Sequence, residues 1–376
     1  MSKPSVAVLF PGSARDGRVS GIKDGTTPKD FFYGYTRLTD ADYPAVMLDS
    51  RRDPDGLFSR FRLKVEYLGA RVTGLGVNTQ RVRAIAADLA GRDVAVSFTD
   101  NFSLSLGLYR GKRVRCPVLA GGFPGLADIE GYASPGFRPL VRRVIRRGLA
   151  GLDHLFFFGP ADRLRSIEMY DLDESKTSLF PFGIDLDFWR PTEERGSAKG
   201  VFSVGSDPKR DYRTLIAAAI DGPVRILTNL DVGPGSDRPG IEILRGSLHG
   251  SSITDEVLRS LYQEAQVVVV PLLDVWQPTG YSVTLQAMAC GKPVVLSNIR
   301  GLWDREVFES GVNCILVPPG DPVALADAVR ALQTDSDLRE RIGKAARESA
   351  VRYFGLARME DALELMVNTL AGGTLR

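Results

Sequence analysis

Short runs of apolar, mostly β-branched residues alternate with segments of helical spacing along most of the chain. A short apolar run bounded by turn residues is typical of a buried strand, whereas apolar residues three or four apart indicate an amphipathic helix. In the first half this pattern predicts strands at residues 5–10, 45–48, 93–98, 114–119, 154–158 and 177–181 and helices at residues 80–90, 137–149 and 162–169. Such an order predicts an α/β domain with a largely parallel sheet.

A polar stretch, PTEERGSAK at residues 191–199, interrupts the alternation and is typical of a linker between domains. The alternation then restarts, with strands predicted at residues 200–204, 224–228, 242–245, 267–271, 294–296 and 314–317 and helices at residues 212–219, 255–264, 322–334, 337–353 and 356–370. We therefore predict an α/β fold of two doubly wound, Rossmann-like domains. Because ligands of such sheets bind at the carboxyl ends of the strands, two facing domains would form a binding cleft.

The composition of the chain argues against several classes of protein and site. The 376 residues exceed what one ordinary core fills, and the net charge of +2 gives no indication of a nucleic-acid partner. Three cysteines and two histidines form no cluster with metal-ligand spacing, so we expect no metal site and reduced thiols in a cytoplasmic protein. The longest apolar run, residues 267–273, is too short to span a membrane, and no N-terminal signal is predicted.

The segment QPTGYSVTLQAMACGKPVVLS, residues 277–297, predicts a turn, a helix, a second turn and a strand. Free backbone N–H groups at a helix start, together with the helix dipole, favour an anion such as a phosphate. Thr279 and Ser282 would add hydroxyl donors, and Gly280 would let a ligand approach the backbone. Gln286 lies one turn into the helix. The alternative is that Thr279 or Ser282 caps the helix and Gln286 is a solvated polar residue.

A second charged turn follows the strand predicted at residues 200–204. Lys209 and Arg210 stand ahead of the next predicted helix, and two cations in such a loop suit a diphosphate. The alternative is a solvated charged turn. Asp100 follows the strand predicted at residues 93–98, where it would either orient an acceptor hydroxyl or cap a helix.

Residues 277–297 resemble the donor-binding segment of retaining glycosyltransferases with the GT-B fold. The nearest set is the large group 1, family 4-like set that includes sucrose synthases and bacterial mannosyltransferases. Its members usually show E-G-F-G-x-x-x-x-E-A-M-A-x-G-x-P-V, of which this chain has AMA, G and PVV in register. The stretches PFGIDLDFWRP (181–191), FSVGSDPKRDYRTLIAA (202–218) and SGVNCILVPPGDPVALADAV (310–329) are similar to further stretches of the family, in the same order.

The resemblance implies that a sugar moves from a UDP- or GDP-linked donor to an acceptor hydroxyl, with retention of configuration and without a metal. The acceptor would be a small molecule, a glycan or a lipid-linked molecule, bound by an N-terminal domain of residues 1–188. The donor would bind a C-terminal domain of residues 189–355, and the last helix, within 356–376, would cross back onto the N-terminal domain. The implied donor-binding residues are Gly205, Ser206, Thr279, Gly280, Tyr281, Ser282, Gln286 and His249.

The implied catalytic residues are Arg210 and Lys209, which would hold the departing diphosphate, and Asp100. The loop PGSARDGRVSG, residues 11–21, follows the first predicted strand and would face the phosphates and the acceptor across the cleft. Its candidate residues are Gly12, Ser13 and Gly17.

The chain also departs from the family pattern. The two usual glutamates fall on Pro278 and Gln286, and the usual arginine of the phosphate loop falls on Ser206. One clear cation, Arg210, remains unless Lys209 also turns inward. A non-catalytic GT-B binding protein or partner subunit is therefore the alternative, and a related phosphorylase or epimerase is a third.

Four arginines lie in FRPLVRRVIRRGLAG, residues 137–151, on a predicted amphipathic helix. Some relatives use such a helix to dock on anionic lipid, which would give a peripheral membrane contact through residues 138–147. The favoured alternative is a helix that faces the core and exposes its basic side to solvent.

Overall fold

The computed structural model describes residues 2–11, 15–110, 118–192, 199–246 and 253–372. The strands of the first half are β1 (Val6–Phe10), β2 (Ala45–Asp49), β3 (Val94–Ser97), β4 (Val118–Phe123), β5 (His154–Phe157) and β6 (Thr177–Leu179). Those of the second half are β7 (Val201–Val204), β8 (Val224–Leu227), β9 (Ile241–Leu244), β10 (Val267–Val270), β11 (Val294–Ser297) and β12 (Ile315–Val317).

The helices of the first half are α1 (Val19–Lys23), α2 (Tyr35–Asp40), α3 (Leu57–Thr73), α4 (Thr79–Leu89), α5 (Asp100–Arg110), α6 (Arg138–Leu149) and α7 (Pro160–Tyr170). Those of the second half are α8 (Tyr212–Ala217), α9 (Asp255–Glu264), α10 (Tyr281–Ala289), α11 (Pro322–Thr334), α12 (Ser336–Tyr353) and α13 (Leu356–Ala371). Short 3₁₀ segments lie at Asp16–Arg18, Lys29–Phe32, Leu126–Tyr132, Pro135–Phe137 and Glu174–Lys176.

Two six-stranded sheets organise these elements, in the orders β2-β1-β3-β4-β5-β6 and β12-β11-β10-β7-β8-β9. All paired strands in both sheets run parallel. Helices cover both faces of a parallel sheet, so its central strands are buried on both sides, as the four consecutive valines of β10 are. The prediction of two doubly wound, Rossmann-like sheets is confirmed.

The predicted elements differ from the observed ones at β4 and at four helices. Two of these, α1 and α2, are short and were not predicted. The strand predicted at residues 114–119 is observed as β4, and residues 111–117 lie outside the described part of the chain. The helices α3 and α5 were not predicted. The apolar positions of α5 are buried on all sides, so this helix lacks a one-sided pattern. The helix α3 buries only Leu63, and its other large apolar side chains are exposed.

The chain crosses between the two sheets at two adjacent points. Ile184, after β6, and Gly355, before α13, form a parallel bridge, and the Ile184 N–H donates to the Phe354 carbonyl over 2.7 Å. Phe182, Ile184 and Trp189 are buried in one apolar cluster that continues from the first sheet to the second. The described residues of the two crossings are therefore packed together. Residues 193–198, most of the predicted linker, lie outside the described part of the chain.

The last helix, α13, lies against α2 of the first half. The Tyr43 hydroxyl donates to the Glu364 carboxylate over 3.1 Å, and the Asn368 amide donates to that hydroxyl over 2.8 Å. Leu363 is fully buried beside Gly34. The helix thus returns to the first sheet, while the predicted domain boundary at residue 188 stays a prediction. No helix in the described part of the chain combines the length and apolar character needed to cross a membrane.

Replacing Leu363 with alanine removes buried methyl groups at the junction of α13 and the first half. We expect the free energy of unfolding to fall by about 2–5 kcal/mol, because the site leaves a cavity. Leu365→Ala is the matched control, since Leu365 is 69% exposed on the same helix, and its effect should stay within about 0.5 kcal/mol. Denaturant unfolding measures both, and equal losses would contradict the packing of α13 described above.

Candidate functional site

A pocket of about 390 Å³ lies between the two halves, at the carboxyl ends of β7 and β10. This is the edge at which parallel α/β sheets bind their ligands. The second half contributes the loop after β7 and the start of α10, and the first half contributes residues around its Lys29–Phe32 segment. The lining includes Arg15, Asp30, Gly205, Ser206, Asp207, Arg210, Gln277, Thr279, Gly280, Tyr281, Ser282 and Gln286.

The helix α10 begins at this pocket without a side-chain cap. Gly280 precedes it with a positive φ of 83°, a conformation that favours glycine. In the described part of the chain no acceptor pairs with the N–H groups of Tyr281, Ser282 and Val283. Because the first amides of a helix have no partner within it, these N–H groups remain open to an anion.

The Thr279 hydroxyl differs from the expectation of a free donor. It donates to the Asp207 carboxylate over 3.0 Å, and the Gln277 amide approaches the same oxygen at 3.4 Å. A carboxylate thus lies beside the open start of α10. The expected caps, Thr279 or Ser282, are not used, because no side chain caps this helix.

Arg210 is almost buried, with 9% of its surface exposed, and it lines the pocket. Its Nε and Nη1 atoms have no hydrogen-bond partner in the described structure. A Cβ on Gly205 would lie 2.2 Å from Nε, and one on Gly280 would lie 2.9 Å from Nη1, so only glycine leaves room for the guanidinium. Since an unpaired buried charge is unfavourable, this geometry suits a bound anion.

Arg15 reaches the same pocket from the first half and was missed in the sequence. It is 6% exposed, its guanidinium stacks 4.2 Å from the Phe10 ring and 4.5 Å from the Phe31 ring, and its Nε donates to the Phe31 carbonyl. Burial lowers the pKa of Arg15 to about 10, which still leaves it charged at neutral pH. Its sequence signal is an arginine in the loop that follows the first strand, the loop that also contains Gly12, Ser13 and Gly17.

Of the three candidates in that loop, Gly12 and Ser13 lie outside the described residues. Gly17 lies in the 3₁₀ segment Asp16–Arg18 and is not among the residues that line the pocket, so it is not placed where we expected. His249 also lies outside the described residues.

Gln286 lines the pocket and is 8% exposed. Its Oε1 accepts the Tyr262 hydroxyl over 3.0 Å, which orients the side chain and leaves the amide NH₂ as its donor group. The Ser206 Oγ accepts the Asn229 N–H over 3.0 Å and holds the loop after β7. The ring of Tyr281 packs against Phe182 of the first half, with the ring centroids 4.5 Å apart.

Lys209 does not join Arg210 in the pocket, contrary to the expectation that both hold one diphosphate. Its Nζ lies 4.0 Å from the centre of the Tyr132 ring in the first half. Burial lowers the pKa of Lys209, while the carboxylates of Asp207, Asp128 and Asp100 act in the opposite direction. The adjacent side chains of Lys209 and Arg210 therefore point in different directions. Arg210 lines the pocket, whereas Lys209 contacts the ring of Tyr132 in the first half.

Asp100, expected either to orient an acceptor hydroxyl or to cap a helix, is not among the residues that line this pocket. It is the first residue of α5, and its carboxylate accepts the Gly125 N–H over 3.2 Å. Burial raises the pKa of Asp100 to about 7. Nearby, the carboxylate of Asp128 accepts the N–H groups of Gln277, over 2.7 Å, and Trp276, over 3.3 Å, which ties the two halves together.

Asp30 is the buried acid of the pocket, with 3% of its surface exposed. Its Oδ1 accepts the indole N–H of Trp189 over 3.1 Å and the Asp185 N–H over 3.3 Å, both at the first crossing between the halves. Burial, and then the charge of Asp185, raise the pKa of Asp30 to about 7. In the described residues, no group of three or more metal-binding side chains comes together.

Residues 204–335 match the family described as Glycosyl transferases group 1. The chain contains a glycosyltransferase group 1 domain. The pocket residues from Gly205 to Gln286 all belong to this group 1 domain, and Arg15 and Asp30 face it from the first half. The resemblance stated from the sequence is confirmed.

Curated relatives of the group 1 domain carry two kinds of name. The chain is 30% identical over 239 residues to a D-inositol 3-phosphate glycosyltransferase of Xylanimonas cellulosilytica, covering 56% of this chain and 54% of the relative. It is 28% identical over 217 residues to an alpha-maltose-1-phosphate synthase of Mycobacterium tuberculosis, covering 50% and 55%. The chain thus spans about half the length of the curated relatives it matches.

Solved structures match over nearly the whole chain. Sucrose-phosphate synthase from Thermosynechococcus elongatus has a TM-score of 0.73 at 20% identity, covering 99% of this chain and 100% of that one. Anabaena Alr3699/HepE in complex with UDP and glucose has a TM-score of 0.67 at 14% identity, covering 97% and 100%. At these identities the likeness shows the fold, and the predicted GT-B fold is confirmed.

Replacing Asp30 with asparagine tests the buried acid. Its pKa is about 7 in the folded protein against an ordinary 3.8, so between these values the folded chain binds more protons than the unfolded chain. Wild-type stability from this group is therefore full below about pH 4 and is lost as the pH rises through 7. The variant D30N keeps the acceptor for Trp189. We expect its free energy of unfolding, relative to that of wild type, to rise by about 2 kcal/mol from pH 5 to pH 8.

The control for this pH series is Asp361→Asn, because Asp361 is exposed on α13. Denaturant unfolding at several pH values measures all three proteins. Parallel curves for wild type and D30N would contradict the raised pKa of Asp30.

Proposed function

We propose that this chain is a glycosyltransferase that moves a sugar from a UDP- or GDP-linked donor to an acceptor hydroxyl, with retention of anomeric configuration. The observation that carries the proposal is the almost buried guanidinium of Arg210, whose Nε and Nη1 atoms have no hydrogen-bond partner in the described structure. It faces the uncapped start of α10 in a pocket between two Rossmann-like sheets. A diphosphate matches this arrangement, since it offers several anionic oxygens to a guanidinium and to backbone N–H groups.

In the proposed reaction the sugar–phosphate bond breaks and negative charge develops on the leaving diphosphate. Arg210 and the amides of residues 281–283 lie where they would stabilise that charge, and fixed donors in a pocket with little water do so strongly. Arg15 would approach the same charge from the first half. It would supply the second cation that the phosphate loop lacks, because Ser206 stands where the family carries arginine.

Retention of configuration and metal independence are further parts of this proposal. With two guanidinium groups on the diphosphate, no metal is needed to neutralise it. An oxygen of the departing phosphate would accept the proton of the acceptor hydroxyl on the same face of the sugar, so no side-chain base is required. Gln277, which lines the pocket, would contact the sugar near the position of the first missing glutamate, and the amide of Gln286 would donate to the ribose hydroxyls.

The comparisons favour uridine as the base, because the HepE structure of this fold contains UDP and glucose. The curated relatives are named for inositol phosphate and maltose phosphate, which favours an acceptor or product that carries a phosphate. We place the reaction in the cytoplasm, where the buried free thiols of Cys290 and Cys314 would stay reduced.

A second candidate function is a non-catalytic GT-B subunit that binds a nucleotide. It is favoured by one observation: the Asp207 carboxylate lies beside the start of α10 and holds the Thr279 hydroxyl, so it would repel a diphosphate. This alternative expects nucleotide binding without turnover, or neither.

Titration with UDP, GDP and dTDP tests the anion site. We expect Arg210→Ala to weaken the binding of the preferred nucleotide by about ten- to a hundredfold, since a charge-assisted hydrogen bond contributes about 1.5–3 kcal/mol. Arg213→Ala is the matched control, because Arg213 is exposed on α8, outside the pocket lining, and it should bind as wild type does. Calorimetry measures the affinities. The site assignment fails if R210A binds normally or if wild type binds none of the three.

Arg15→Ala probes the same pocket from the first half. We expect a similar loss of nucleotide affinity, and Arg15→Lys should restore part of it because the charge remains while the planar contact is lost. Normal affinity in R15A would remove Arg15 from the proposal without affecting Arg210.

A donor screen in the presence of EDTA tests the reaction itself. We expect mass spectrometry to detect glycosylated product from one nucleotide sugar with undiminished rate in EDTA, and nuclear magnetic resonance to show the donor's anomeric configuration in the product. Rate loss in EDTA that a divalent ion restores would contradict metal independence, and an inverted anomer would contradict retention. Binding without any product would favour the non-catalytic subunit.

A further inference from the structure

The helix α3 exposes a stripe of large apolar side chains. At about 100° per residue, the stripe occupies an arc of about 100° on the helix, and Leu63, the buried residue of α3, lies on the opposite side. The exposed fractions are Leu57 88%, Phe58 69%, Phe61 64%, Val65 53%, Leu68 63% and Val72 47%. Isolated exposed apolar residues are ordinary, but a contiguous stripe along a helix marks a surface that binds something.

Cations flank this stripe on both sides. The same helical geometry puts Arg62 on one border and Arg60, Lys64 and Arg71 on the other, and all four are exposed. In the described structure none of them forms an ion pair with a carboxylate. The single acid of the helix, Glu66, instead accepts a hydrogen bond from the Thr79 hydroxyl, away from the stripe.

The cations beside the stripe indicate which kind of surface α3 would bind. An apolar stripe bordered by arginine and lysine matches the interface of an anionic bilayer, in which apolar side chains enter the acyl boundary and cations meet the headgroups. A second copy of the chain fits poorly, because a two-fold contact between two such faces would bring like charges together. We propose that α3 is a docking helix that lies on an anionic lipid surface through its exposed stripe.

The position of α3 relates this surface to the cleft. Its C-terminal cap, Gly74, is so close to Tyr132 that a Cβ there would lie 2.8 Å from the Tyr132 carbonyl oxygen. Tyr132 is the residue whose ring contacts Lys209 of the second half. One end of the docking helix therefore lies beside the junction of the two halves, and docking would bring that junction to the membrane.

The basic helix α6 does not offer the same surface. Its residues Val141 and Ile145 are buried, and Arg142 pairs with Glu130 over 2.9 Å. The apolar side of α6 thus packs on the core, as the favoured alternative in the sequence stated. The peripheral contact expected through residues 138–147 moves, in this proposal, to α3.

Sedimentation with vesicles tests the docking helix. We expect wild type to bind vesicles of equal parts phosphatidylcholine and phosphatidylglycerol, to bind pure phosphatidylcholine weakly, and to lose affinity as salt rises. The double variant Phe58→Ser with Phe61→Ser should bind the anionic vesicles at least tenfold more weakly, because two large apolar side chains no longer enter the interface.

Leu164→Ser with Leu365→Ser is the matched control, since these leucines are 59% and 69% exposed on other helices. It should bind vesicles as wild type does, and thermal unfolding shows whether each variant remains folded. The charge variant Arg62→Glu with Lys64→Glu should lose the preference for anionic vesicles.

Three outcomes would overturn the proposal: wild type that ignores anionic vesicles, equal binding by the F58S/F61S variant and wild type, or equal loss in the leucine control. Analytical ultracentrifugation tests whether the stripe of α3 instead contacts a second copy of the chain. A wild-type dimer that F58S/F61S dissociates, without vesicle binding, would show that α3 pairs with a second copy. None of these results depends on glycosyl transfer, so the docking helix and the proposed enzyme can fail separately.

Discussion

An almost buried guanidinium with two unpartnered nitrogen atoms is the constraint around which the second half is arranged. Arg210 lies between Gly205 and Gly280, and neither position could carry a side chain without displacing it. The N–H groups that begin α10 lie around the same pocket, so the local excess of positive charge comes from both the side chain and the backbone. A bound anion would satisfy both at once, and the two glycines leave room for the guanidinium where the two loops meet.

The first half completes this arrangement from the other side of the pocket. Arg15 is held by the rings of Phe10 and Phe31, so its guanidinium is fixed by packing and not by a carboxylate. Asp30 lies in the same wall and is bonded to Trp189, where the chain first crosses between the halves. One wall of the pocket is therefore bonded to the segment at which the chain first crosses between the halves.

Much of the fold was predictable because its parallel strands are buried on both faces and appear as short apolar runs, as β10 does. The meeting of Arg210 with the start of α10 in one pocket was predictable too, since both follow strands at one edge of a sheet. The separation of Lys209 from Arg210 was not predictable, because Lys209 contacts Tyr132, a residue far away in the sequence. Arg15 and α3 were missed because their environments, a pair of aromatic rings and open solvent, depend on tertiary packing.

The hydrogen bonds that the Asp128 carboxylate accepts from the N–H groups of Gln277 and Trp276 join the first half to the second beside the pocket. Together with the bridge between Ile184 and Gly355, they are among the contacts that hold the halves together. An opening of the pocket about the paired crossings would have to break these two hydrogen bonds, so Asp128 would oppose it.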